Sequence, residues 1–193
     1  MALRDWDAAT APAASPFMSW HGQAWRTHDG VYKADSYGGS LRFSARFHRA
    51  PDEFPPNRTW PALYLSLAAE VAVGEALRYM LLQSSILAVR DRIRNYRLSE
   101  LQVTLAAVLD CRDLSALGLT RKALLGESYA LGQELAAAAV ARGAEGIIVP
   151  SATRWGDNLI VFPHNQRPGS QIVVKGYRIM KYLLSKDEAV DDE

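Results

Sequence analysis

The most constraining stretch of this sequence is residues 128–149. An alanine-rich run ending in Arg142 is closed by Gly143 and followed almost at once by Gly146, Ile147, Ile148 and Val149. Alanine has the highest helical propensity, a cation suits the negative C-terminal end of the helix dipole, and glycine suits the left-handed residue that ends a helix. The β-branched residues that follow favour a strand. A helix over 128–142 that runs into a buried strand commits the chain to mixed helix and sheet, with strands central and helices flanking them.

The remaining pattern fits that frame. Alternating apolar and polar residues predict strands over 22–27 and 40–48, punctuated by Gly38 and Gly39. Pro51, Pro55, Pro56 and Pro61 remove backbone donors and make 49–61 a surface excursion. Residues 62–66 read as a buried strand, and 68–82 as a helix with Gly74 its single breaker. A strand over 102–109, short helical pieces at 113–118 and 120–126, and strands over 146–149, 158–162 and 171–177 complete the reading. The fold class is α+β. At 193 residues, 49% of them hydrophobic, the chain builds one core and is too short for two. Residues 1–18 have the composition of a flexible arm, 186–193 form an acidic flexible tail, and 19–185 are the folded domain.

Composition also excludes several functions. Lys and Arg total 22 against 21 Asp and Glu, so no overall charge draws the chain to polyanions, and an anionic ligand must be held by local groups. Cys111 stands alone, and His21, His28, His48 and His164 do not fall at zinc-ligand spacings, so neither a disulfide nor a structural metal is expected. No stretch reaches the ~20 apolar residues of a membrane helix, and Arg4, Asp5 and Asp7 interrupt what would be a signal peptide. The reading is a cytoplasmic protein without membrane association. No P-loop or glycine fingerprint is present, so any nucleotide is bound by another design.

Four short pieces place polar groups at strand ends or on an adjacent helix: residues 44–48, 62–66, 70–75 and 149–152. By residue type alone, Glu75 is a solvated helix carboxylate, Arg46 a hydrated surface arginine, Tyr64 a core aromatic and Ser151 a turn serine. Ser151 is no nucleophile, because no His and acid partner is identifiable for it. The run of Arg90, Arg92, Arg94 and Arg97 is either a basic face for nucleic acid or a solvated face offset by Asp91 and Glu100.

Taken in order, these pieces resemble the RES-domain family, the toxins of RES/Xre-type toxin–antitoxin pairs. Ser44-Ala45-Arg46-Phe47-His48 is similar to the family's Gly-Gly-Arg-aromatic-Asn/His piece, with both glycines replaced. Leu63-Tyr64 matches its buried Leu-Tyr strand, Glu75 falls eleven residues beyond that tyrosine, as the family glutamate does, and Pro150-Ser151-Ala152 matches its late turn. Asn158 to Phe162 resembles the segment after that turn, and Arg26, after Trp25, resembles a further family arginine. The resemblance spans roughly 25–165; Tyr64 lies eighteen positions beyond Arg46, a gap lengthened by the proline-rich excursion.

The resemblance implies a fold akin to the ADP-ribosyltransferases and a catalytic domain that breaks the nicotinamide–ribose bond of NAD+ with water or phosphate. NAD+ is then a consumed substrate, with no cofactor. Arg46, Tyr64 and Glu75 are the implied catalytic residues; Arg26, Arg46, Tyr64, Ser151 and Asn158 are the implied substrate contacts. Glu75 would stabilise the ribosyl cation, Arg46 would grip the diphosphate, the Tyr64 ring would stack on nicotinamide, and Ser151 would position phosphate or Arg46. The implied partner is a separate helix-turn-helix (Xre-type) antitoxin, with nucleic acid reached through it alone, and assembly of identical chains is left open. Two other functions compete: transfer of ADP-ribose to a protein side chain, and a non-catalytic RNA- or protein-binding module using the arginine run and exposed aromatics.

Overall fold

The computed structural model describes residues 15–180. Six strands and four helices follow one another as β1 (Met18–Asp29), β2 (Leu63–Ser66), α1 (Ala69–Gln83), α2 (Ile86–Ile93), β3 (Tyr96–Asp110), α3 (Arg121–Leu125), α4 (Ala130–Ala141), β4 (Gly146–Pro150), β5 (Asp157–Val161) and β6 (Gln171–Ile179). They form a single mixed α+β domain with a central sheet and flanking helices, as the sequence predicts.

The 15-residue β3 organises the sheet. β1 pairs antiparallel along one of its edges, while β6 and then β4 share the other: β6 antiparallel to residues 97–104, β4 parallel to residues 108–110. β5 joins β4 to β2, and β2 meets β1 where Trp25 faces Ser66. Because β1 pairs with both β2 and β3, the sheet closes on itself. Its interior is filled by Ala24, Leu63, Leu65, Leu101, Val103 and Ile148 among others. Closure brings the ends of β2, β4 and β5 together, and there the candidate site forms.

Each flanking helix buries the face that its apolar spacing marks. Leu131, Leu135, Ala136 and Ala139 of α4 pack on Ile147, Val149, Ile160 and Phe162, and Gly143 ends the helix at φ +83°, a conformation glycine adopts without steric cost. Leu135 is fully buried, so truncation to alanine costs about 2–5 kcal/mol. On the other side, Ala72 and Met80 of α1 meet Val89 and Ile93 of α2.

The structure corrects the sequence reading in three places. Residues 40–48 are not a strand: a single 3₁₀ turn (Gly38–Leu41) leads into a tight loop in which Ala45 and His48 bond each other. Side chains satisfy this loop's carbonyls in place of a ladder, Trp60 Nε1 donating to Phe47 O and Gln133 Nε2 to Ala45 O. Residues 113–118 form turns rather than a helical piece, and α2 was not anticipated. The arm expected over 1–18 lies mostly outside the described residues, but Met18 opens β1 and the Phe17 ring lies 4.7 Å from the Arg142 guanidinium. The tail at 186–193 also lies outside them.

The proline excursion is a loop, as expected, yet it is anchored. Arg49, 6% exposed, pairs with Glu134 of α4 at 2.5 Å and lies over the rings of Phe54 and Trp60. Among the described residues no helix is long and apolar enough to cross a membrane. The arginine run divides between α2 and β3: Arg94 pairs with Asp91, Arg92 covers Tyr96, and Arg97 covers Tyr177. It does not make one basic face.

Candidate active site

Glu75 lies in the second turn of α1, and the ends of β4 and β5 converge on its carboxylate. Its Oε1 accepts three hydrogen bonds: from Ser151 Oγ at 2.6 Å, from the Ala152 N–H at 2.9 Å and from Asn158 Nδ2 at 2.9 Å. No described residue donates to Oε2, which leaves that oxygen available to a ligand. Glu70, one turn earlier, is exposed.

Each donor is itself fixed. Ser66 Oγ donates to Asn158 Oδ1 at 2.8 Å, which orients the amide so that its nitrogen faces Glu75. The Ser151 N–H donates to Gly156 O, and Ser151 Oγ lies 2.8 Å from Thr153 Oγ1. Ser151 is fully buried. It therefore acts as a donor to Glu75 and not as an exposed turn serine. A Cβ on Gly74 would come within 2.9 Å of the Trp155 ring, so a larger residue next to Glu75 would displace that exposed side chain.

Arg46 reaches the same region from the loop before β2. Its Nη1 donates to Leu124 O at 2.7 Å and Ser128 O at 3.1 Å, and its Nη2 to Gly126 O at 2.7 Å. The guanidinium thus clamps the connection from α3 to α4, with Tyr129 beneath it at 4.8 Å. Three of its five donors are used, leaving Nε–H and one Nη2–H. Burial lowers its pKa, with the neighbouring Arg78 adding to the effect; an arginine stays charged at neutral pH all the same.

Helix α4 approaches the Arg46 loop closely. A Cβ on Gly132 of α4 would lie 2.4 Å from Arg46 O, so this position must be glycine for α4 and the Arg46 loop to meet.

Tyr64 supports that loop. Its hydroxyl accepts from the Phe47 N–H at 2.9 Å and lies 3.0 Å from His48 Nδ1. His48 Nε2 lies 2.6 Å from Phe43 O, a pure acceptor, so Nε2 carries the proton and Nδ1 accepts from Tyr64. Burial lowers the His48 pKa, which keeps the ring neutral for this role. Burial also raises the Tyr64 pKa far above its ordinary value, so the residue is a phenol and never a phenolate base. Its ring packs beside Phe47 and His48.

Arg26 stands apart from this cluster. Its Nη1 donates to Ala34 O at 2.7 Å and Ser36 O at 2.5 Å, and burial brings its pKa down to about 10. Cys111 is fully buried, and burial pushes its thiol up to about 12, which removes it as a nucleophile. Among the described residues no three His, Cys, Asp or Glu side chains gather as a metal site.

The sequence reading missed a set of cations beside the carboxylate. Arg78, Arg121, Lys122 and Arg154 line a cleft of about 440 Å³ with Gly126 and Ala152. Arg121 Nη2 donates to Ser151 O. Arg78 carried the one available signal, since it lies three residues beyond Glu75 on the same helix and therefore on the same face.

Comparison with known proteins bears on the fold and the family. No curated protein matches the sequence. Among solved structures, a chain of the M. tuberculosis MbcT–MbcA toxin–antitoxin complex superposes with a TM-score of 0.78 at 24% identity, covering 93% of this chain and 95% of that one. The RES domain matches residues 23–185, a span containing Arg26, Arg46, Tyr64, Glu75, Ser151 and Asn158. The chain belongs to the RES domain family.

Proposed function

We propose that this protein is a toxin that degrades NAD+ by breaking the bond between nicotinamide and ribose. The observation that carries this reading is the Glu75 carboxylate, fixed through Oε1 and open at Oε2, on the rim of a cationic cleft. When the glycosidic bond breaks, its electron pair leaves with neutral nicotinamide and positive charge develops at the ribose C1′. A preorganised carboxylate stabilises that charge most where the transition state develops it. Water or phosphate then bonds to C1′, and the proton it sheds passes to solvent. The products are ADP-ribose, or ADP-ribose 1″-phosphate.

The other residues take supporting roles. Ser151 and Asn158 hold Glu75, Arg46 holds the α3–α4 connection that lines the cleft, Tyr64 holds the Arg46 loop, and the remaining Arg46 donors are available to a ligand. Arg26 braces the loop at 34–36 through its guanidinium. The fold relationship implied to the ADP-ribosyltransferases is part of the same proposal, as are the cytoplasm as the place of action and a separate Xre-type antitoxin. The named complex, a toxin with its antitoxin, supports a separate antitoxin as partner, whatever its type.

The test is NAD+ consumption by purified protein with and without phosphate, and the NAD+ level in bacteria expressing it. The wild type and Glu70→Ala should deplete NAD+, while Arg46→Ala and Glu75→Ala should not. Folded wild-type protein that leaves NAD+ intact under every condition removes the proposal. Labelling of a protein by tagged NAD+ would point to transfer instead.

A further inference from the structure

Arg46 was expected to grip the diphosphate, yet three of its donors are committed to the carbonyls of Leu124, Gly126 and Ser128. The groove with cations to spare lies next to it. Arg78 extends from α1, Arg121 and Lys122 begin α3, and Arg154 comes from the loop between β4 and β5. Among the described residues, no carboxylate forms an ion pair with any of the four. Asp157 is the acid near Arg121, and burial raises its pKa. Four like charges brought to one groove repel one another, an arrangement that favours an anionic ligand between them.

The groove is continuous with the Glu75 site. Ala152 lines it and donates its N–H to Glu75, Gly126 lines it and accepts from Arg46, and Arg121 is tied to the Ser151 carbonyl. Three elements distant in sequence therefore present cations to one side of a single carboxylate. Arg154 has φ +68°, the one positive value among the described non-glycine residues.

We infer that this groove is the phosphate-binding subsite of the protein, with Arg78, Arg121, Lys122 and Arg154 as the binding cations. The inference rests on the NAD+ reading for which phosphate is held, the dinucleotide's diphosphate or an orthophosphate acceptor; the two share the chemistry of an oxyanion gripped by guanidinium and ammonium groups.

The experiment uses the full chain and calorimetric titration with two probes, ADP-ribose and orthophosphate. The variants are Arg78→Gln, Lys122→Gln and Arg154→Gln, singly and together, all at exposed positions, with an unchanged melting temperature as the check on folding. The triple variant should bind at least one probe about tenfold more weakly or worse, and wild-type affinity should fall steeply with salt. Loss confined to ADP-ribose assigns the groove to the diphosphate, and loss confined to orthophosphate assigns it to the acceptor. Unchanged affinity of the folded triple variant for both probes overturns the subsite, even if NAD+ is consumed. Probe binding that depends on these residues in a protein that leaves NAD+ intact sustains the subsite and removes the NAD+ reading instead.

Discussion

Glu75 and Glu145 each accept three hydrogen bonds from groups distant in sequence, but the bonds are distributed differently. In Glu145, which is fully buried, Oε2 takes the N–H groups of Ala106 at 2.5 Å and Ala107 at 2.8 Å, and Oε1 takes that of Arg167 at 2.6 Å. Both oxygens are used up joining β3 to the loop before β6. In Glu75 all three bonds fall on Oε1 and none of the described groups donates to Oε2. A carboxylate satisfied on both oxygens is a structural brace; one satisfied on a single oxygen is oriented and still able to act.

The largest expected difference is in catalysis. Glu75→Gln should lower kcat for NAD+ loss by about 100-fold or more, the range seen when one group stabilising transition-state charge is removed, while its denaturation midpoint shifts little. Glu145→Gln should do the reverse: folded molecules retain turnover, but stability falls by about 3 kcal/mol because an amide nitrogen is set against main-chain N–H donors. Equal loss of stability in the two variants would erase the distinction.

Acid provides the next test. Burial pushes the Glu145 carboxyl up, but the hydrogen bonds it accepts together outweigh this and leave its pKa below the usual carboxylate range. A depressed folded-state pKa contributes stability that is present above the unfolded glutamate value and is lost as pH falls through the folded one. Chemical denaturation measured from pH 6 downward should therefore show wild-type stability declining more steeply below about pH 4.3 than that of Glu145→Gln. Parallel curves would deny Glu145 this role.

A smaller effect is expected at the orienting residue. Ser66→Ala frees the Asn158 amide to rotate, and should lower kcat several-fold while leaving KM nearly unchanged. Asn158→Asp, which puts a like charge beside Glu75, should be worse than Asn158→Ala, and the reverse order would show that the amide does not act through Glu75. The smallest effect belongs to Glu70→Gln, an exposed position where activity and stability should stay at wild-type values within about 0.5 kcal/mol.

Much of the fold was legible because it rests on local rules. The alanine run with Gly143 behind it, the Leu63–Ser66 strand and the strands of the second half all appear where propensity and periodicity put them. The loop at 40–48 was misread because its alternation has another cause: Phe47 and His48 are buried by Trp60, Tyr64 and Gln133, contacts made across the fold rather than along a ladder.

The sequence by itself determined the α+β class and the family and singled out Arg46, Tyr64, Glu75, Ser151 and Asn158, because helix caps, β-branched runs and short motifs are local in the chain. Only the tertiary structure decided what those residues do. Ser151 lies 76 positions from Glu75 and Asn158 lies 83, and nothing local links them. Closure of the sheet through β1, β2 and β3 sets the ends of β4 and β5 against α1, which turns a helix carboxylate into an oriented one, turns Arg46 into a clamp on main-chain carbonyls, and gathers four scattered cations into one groove. Hydrogen-bond geometry and summed charge depend on distance in space, which the order of residues along the chain does not specify.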